Sequence, residues 1–140
     1  MILIRYSLFL MLCLLLAWQN AHAQCTTDAG SISGGSFLCV GNTLSINNQG
    51  NETLDADDIL IFVAYTGSAP NASTVFATST TVNFAYQSAF LANSPFKVAA
   101  VAGNDAGNGT VDWNDPCLSV SQALTVTCLP PPTLTAGPPP

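Results

Sequence analysis

Trp113 stands between Asp112 and Asp115 in the stretch Gly103–Pro116, which reads GNDAGNGTVDWNDP. An exposed indole flanked by carboxylates and amides can stack on a sugar ring, and tryptophan is also frequent at protein-binding hot spots. Trp113, Asp112 and Asp115 are therefore the candidate ligand-binding residues. The competing expectation is a tryptophan that folds back and caps the end of the core. Two acidic loops carry oxygen ligands of the kind calcium takes: Asp55, Asp57 and Asp58 in one, Asp105 with its neighbours in the other. Neither loop has the D-x-[DN]-x-[DN]-G pattern, since Gly107 stands two places after Asp105. Calcium is thus a weak candidate, solvated loops are the stronger expectation, and no cofactor is expected.

Other chemistry is hard to build from this chain. Its single histidine, His22, and its single arginine, Arg5, lie in the first 23 residues, which have the three parts of a secretory signal peptide. A short segment with one positive charge precedes the apolar run Leu8–Ala17, and Ala21-His22-Ala23 fits a small-x-small cleavage site. The run is shorter than the ~20 residues of a comfortable membrane span. Cleavage after Ala23 leaves a chain from Gln24 that is expected to be secreted or held at the cell surface. That chain has no histidine to activate a serine or cysteine nucleophile. The P-loop, the dinucleotide fingerprint and H-E-x-x-H are missing as well. Paired carboxylates, as in glycoside hydrolases, would be the remaining route, and the acids lie in turn-rich stretches. The chain is expected not to be an enzyme. Asn51, Asn71 and Asn108 head formal glycosylation sequons, which matter only in a host that glycosylates them.

Beyond residue 23, eight carboxylates against Lys97 leave a net side-chain charge of −7. So acidic a chain repels phosphate backbones and anionic lipid surfaces, so neither nucleic-acid binding nor membrane insertion is expected. Four cysteines remain after Cys13 leaves with the signal: Cys25, Cys39, Cys117 and Cys128. An even set in an exported chain reads as two disulfides. The spacings of 14, 78 and 11 positions lack the short pairs of a zinc site. Gln24 and His22, in place of a small residue and leucine, argue against a lipid anchor on Cys25.

The elements that would position these residues are strands. Helix-favouring Lys, Arg, Glu and Met are nearly missing, and short β-type runs alternate with turn clusters. Strands are expected at 29–33, 43–47, 59–65, 74–78, 81–86, 96–102 and 118–127, with a helical turn within 87–94. ILIFVAY (Ile59–Tyr65) and FKVAAVA (Phe96–Ala102) read as central strands, and Leu118, Val120, Leu124 and Val126 share one parity. The fold class is all-β: an immunoglobulin-like antiparallel β-sandwich of about seven strands over residues 24–128. Residues 129–140, with Pro130–Pro132 and Pro138–Pro140, read as a polyproline-II-like linker or tail. Such a spacer leads to the expectation that the chain is the first module of a longer protein or a fragment of one. Cys117 and Cys128 bracket one strand and would stand ~30 Å apart, too far for a disulfide. The poles of a sandwich then favour Cys25–Cys117 and Cys39–Cys128.

Four stretches together carry a family pattern: CTTDAGSISG (Cys25–Gly34), FLCVGNTLSI (Phe37–Ile46), IFVAYT (Ile61–Thr66) and PCLSVSQALTV (Pro116–Val126). Cys-x-x-Asp-Ala-Gly is the more specific part; the strand patterns are generic. The pattern resembles the immunoglobulin-like or PKD-like repeat modules of large surface and secreted proteins of Bacteroidetes, including adhesin-like and gliding-associated proteins. The resemblance covers nearly all of Cys25–Cys128. It implies a non-catalytic spacer or adhesion domain joined to further modules of the same polypeptide, with a surface glycan or a protein as partner. A carbohydrate-binding module using Trp113 is the alternative.

Overall fold

A computed structural model describes residues 25–131. The expected signal peptide at 1–23 and most of the proline-rich tail lie outside the described residues. Nine strands and one short helix follow in chain order: β1 (Ile32–Gly34), β2 (Phe37–Cys39), β3 (Leu44–Asn48), β4 (Asp58–Tyr65), β5 (Val75–Ser79), β6 (Asn83–Phe84), α1 (Ser88–Ala92), β7 (Phe96–Asn104), β8 (Ser119–Val120) and β9 (Leu124–Leu129). They form two packed sheets, the expected all-β sandwich. One sheet has the order β1-β3-β6, the other β2-β9-β7-β4-β5, with β8 also paired to β7. Leu129, expected to begin the linker, ends β9 instead.

The larger sheet is built around β4 and β7, which pair antiparallel along their length from Asp58↔Asn104 to Tyr65↔Lys97. Successive side chains on a strand point to opposite faces, and here both faces are covered. Phe62 and Ala64 on β4, with Phe96, Val98, Ala100 and Ala102 on β7, face the smaller sheet and meet Ile32, Leu44, Ile46 and Phe84. Ile61, Val63, Tyr65, Ala99 and Val101 face the other way, into a second core closed by Val111 from the loop after β7. Double burial is why ILIFVAY and AAVA carry no polar alternation. Burial alone pushes the Tyr65 hydroxyl pKa above its ordinary value. The helix α1 sets Phe90, fully buried, into the first core. It stacks on Phe96 at 5.2 Å between ring centres and meets Phe76 and Phe84 edge-on at 5.9 and 6.2 Å.

The strands depart from the sequence reading in two places. The strand expected over 118–127 is two strands, because Ser121 leaves the regular ladder and inserts its hydroxyl. Ala100 N donates to Ser121 Oγ at 2.9 Å, and Ser121 N donates to Ala100 O at 2.9 Å. The interruption resets the parity, so Val126 is buried while Val120 is 40% exposed. The strand β2 was not expected, and it pairs parallel to β9 in an otherwise antiparallel framework. The described residues therefore hold nine strands rather than about seven.

Cys25 and Cys117 are disulfide-bonded, with Cα atoms 5.2 Å apart. The expected Cys39–Cys128 bond is not formed, and both are free thiols. The register explains this correction: Cys128 lies opposite Leu38, and Cys39 opposite Leu129. Leu38 and Cys128 face inward, whereas Cys39 and Leu129 face outward, so the two sulfurs sit on neighbouring strands but on opposite faces of the sheet. Burial, and secondarily the nearby Cys39, pushes the Cys128 thiol pKa up and keeps it protonated, which makes it a poor nucleophile. Iodoacetamide under native conditions is expected to alkylate Cys39 and to reach Cys128 only after unfolding. Cys39 and Cys128 both unreactive in denaturant until reduced, in addition to Cys25 and Cys117, would show that the Cys39–Cys128 bond exists.

Candidate functional site

The loop from Asp105 to Leu118 leaves β7 at the pole where β4 begins and carries most of the candidate residues. It opens as a small hairpin: Asp105 bridges Val111, and Ala106 N donates to Thr110 O at 2.9 Å. Asn108 at its tip holds φ 61°, a left-handed conformation that asparagine tolerates better than most residues. This hairpin delivers Val111 into the second core, 1% exposed. Next along the loop, the half-buried Trp113 packs against the same core together with Leu118. The tryptophan is thus a cover for the outer face of the larger sheet.

The two aspartates beside Trp113 serve the backbone of their own loop. Asp115 is 8% exposed. Its Oδ2 accepts from Asn104 N and its Oδ1 from Cys117 N, both at 2.8 Å. It therefore ties the end of β7 to the residue that carries the disulfide. Gly103 lies directly beneath: a Cβ there would come within 2.8 Å of Leu118 Cδ1 and 3.0 Å of Asp115 Oδ2. A side chain at this position would have to displace Leu118 and the bonded Asp115 carboxylate. Asp112 Oδ1 accepts from Asn114 N at 2.9 Å, a local Asx turn. Trp113, Asp112 and Asp115 are neighbours: the half-buried Trp113 packs on the second core, both oxygens of Asp115 are engaged, and Asp112 has one oxygen bonded within its turn.

The calcium candidates meet at the same pole. Asp57, Asp58, Asn104 and Asp105, with Ala56 and Ile59, line an open cavity of about 480 Å³. Three acids at this pole, Asp55, Asp58 and Asp105, accept from neighbouring donors. Asp58 Oδ2 accepts from Thr27 Oγ1 at 2.6 Å and from Asp55 N at 3.1 Å. Asp55 Oδ1 accepts from Asp57 N at 3.3 Å, and Asp105 Oδ1 from Gly107 N at 2.7 Å. Asp58 Oδ1 is buried and has no hydrogen-bond partner. Among the described residues no group of three or more Asp, Glu, Cys or His side chains comes together as a metal site would require. Asp55, Asp57, Asp58 and Asp105 build turns and do not converge on a cation. The sequons behave similarly at two positions: Asn51 Oδ1 accepts from Ser31 N, and Asn71 Oδ1 from Ser73 N, each at 2.9 Å.

Comparison with protein-family models, curated proteins and solved structures finds no match for this chain. What can be stated of its class rests on its own architecture: an all-β sandwich with one disulfide. Among the described residues no helix is long and apolar enough to cross a membrane.

The roles of the two aspartates separate experimentally. Asp115→Ala leaves two backbone donors without their acceptor in a buried setting and is expected to cost about 2–4 kcal/mol in urea unfolding, at about 1–3 kcal/mol per unsatisfied group and with partial relaxation. Asp112→Ala removes one exposed turn bond and is expected to cost under ~1 kcal/mol. Equal, small losses would contradict the structural role of Asp115.

Proposed function

We propose that this domain is a non-catalytic exported module, acting as a spacer or adhesion domain of a bacterial cell-surface or secreted protein. The observation that carries the proposal is where the chain enters and leaves the sandwich. Cys25 is bonded to Cys117, beside the end of β7 at Asn104. The last strand, β9, runs antiparallel to β7 and carries Val126 opposite Phe96, so Leu129 emerges beyond the start of β7. The eight residue steps of β7 separate these poles by ~27 Å. A module that receives the chain at one pole and releases it at the other adds its full length to a string of modules.

Three further features fit this reading. The disulfide belongs to an oxidising compartment. The net negative charge disfavours phosphate-bearing partners. The resemblance to Bacteroidetes repeat modules points the same way. Any surface glycan or protein partner would meet the loops at the two poles. The carbohydrate-binding alternative draws less support, since Trp113 is a core cover and its flanking acids are engaged.

Mass spectrometry of the fractionated source cells, with the intact chain on a glycan array alongside, tests the proposal. The expected result is a chain beginning at Gln24, found in the medium or on the cell surface, with no glycan bound. A cytoplasmic chain still carrying Met1 would contradict the exported module. Glycan binding lost in Trp113→Ala would replace the spacer with the carbohydrate-binding reading.

A further inference from the structure

We propose that the Cys25–Cys117 disulfide makes this domain a tether that carries tension without lengthening; the inference rests on the spacer reading. Pulling on a spacer applies load before Cys25 and after Leu129. A covalent link between positions 25 and 117, 92 apart in sequence, shunts that load directly from the first residue of the domain to the segment that ends it. Residues 26–116, which include β1 through β7, lie on the bypassed covalent loop and meet the load only through the pairing and hydrogen bonds that flank the path. The covalent load-bearing path is Cys117 to Leu129.

Between Ser119 and Val126 that path is already almost straight. Ser119 lies opposite Ala102 and Val126 opposite Phe96. Seven residue steps of the path therefore run beside six steps of the extended β7. The difference is one residue, located between Val120 and Leu124, where Ser121 leaves the ladder. One residue of slack is worth ~3 Å. Force does work only through extension, so a path with so little to release does not drive unfolding.

Both ends of the path are anchored. At one end Cys117 N donates to the buried Asp115 at 2.8 Å, and that carboxylate also holds Asn104. At the other end β9 lies between two partners, β7 antiparallel and β2 parallel. Thr127 N donates to Ser36 O at 2.8 Å and Val40 N to Leu129 O at 3.2 Å, at either end of the β2 pairing. Load along β9 shears this pairing as a unit and does not peel it bond by bond.

Single-molecule force spectroscopy on the full chain, with handles appended at its two ends, tests the proposal. In the oxidised protein the trace is expected to show no unfolding step longer than ~10 Å from residues 25–131, given ~3 Å per residue of slack. After reduction with a phosphine, the same residues are expected to release roughly 300 Å in one or a few steps, at ~3.4 Å per residue. A third geometry keeps the disulfide intact: the first handle is moved to the exposed Ala72, inside the bypassed loop. The oxidised protein should then release roughly 150–190 Å, since about 57 residue steps separate that point from Leu129 and both start at the same pole. A step of ~100 Å or more in the oxidised, end-pulled chain would overturn the proposal. So would equal traces from the end-pulled and Ala72-pulled oxidised proteins. These outcomes do not depend on where the protein resides. A shielded module found in the cytoplasm would retire the spacer reading and leave the mechanical result standing.

Discussion

The fold depends on the pairing of β4 with β7, two strands apolar on both faces. Buried peptide groups need partners, and the long antiparallel register from Asp58↔Asn104 to Tyr65↔Lys97 supplies them between the two strands. What it leaves open is cover for two apolar surfaces. The smaller sheet and Phe90 cover one, with Ala64, Ala100 and Ala102 allowing close approach. Among the described residues no second small sheet covers the other face; the loop from Asp105 to Leu118 does so with Val111, Trp113 and Leu118. A loop that serves as a core layer must be rigid. The polar groups of this pole follow from that requirement: Asp115 pins the loop to β7, and the disulfide pins it to the domain's first residue. A cross-link closing so long a loop is worth about 4–5 kcal/mol by chain entropy.

Much of this was legible in the amino-acid order. The runs 59–65 and 96–102 lack alternation because both faces are buried, and that pattern is visible without coordinates. Counting strands placed Cys25 and Cys117 at one pole, where they are found bonded. The same reasoning failed for Cys39 and Cys128, because a pole fixes the neighbourhood of a residue and not the face of the sheet. β2 escaped notice for a related reason. Three residues carry too little periodicity to stand out, and parallel pairing with the last strand joins segments far apart in sequence. Ser121 broke the parity expected across 118–127, a departure that depends on a hydroxyl entering the ladder and is invisible in a hydropathy pattern.

The candidate site was legible in composition and illegible in role. Asp and Asn beside a Trp describe equally a sugar platform and a stiff turn. The difference is where the carboxylate oxygens point, and here Asp55, Asp58, Asp105, Asp112 and Asp115 all accept from nearby donors. Acid-rich loops in a chain with almost no bases would otherwise repel one another; backbone amides give these five carboxylates a local partner. The domain's polar chemistry is thus directed to holding its shape.

Native-state hydrogen exchange resolved by residue tests the central claim, that the doubly covered β4–β7 pair is the last part of the domain to open. The account predicts that the ladder amides of Ile61–Ala64 and Val98–Ala102 exchange only through global unfolding, with free energies equal to that measured by denaturant. Amides of β2 and of β5, on the two edges of the sheet, should open at lower cost. Exchange of the β4 and β7 amides well below the global free energy, or as fast as at the edges, would contradict it.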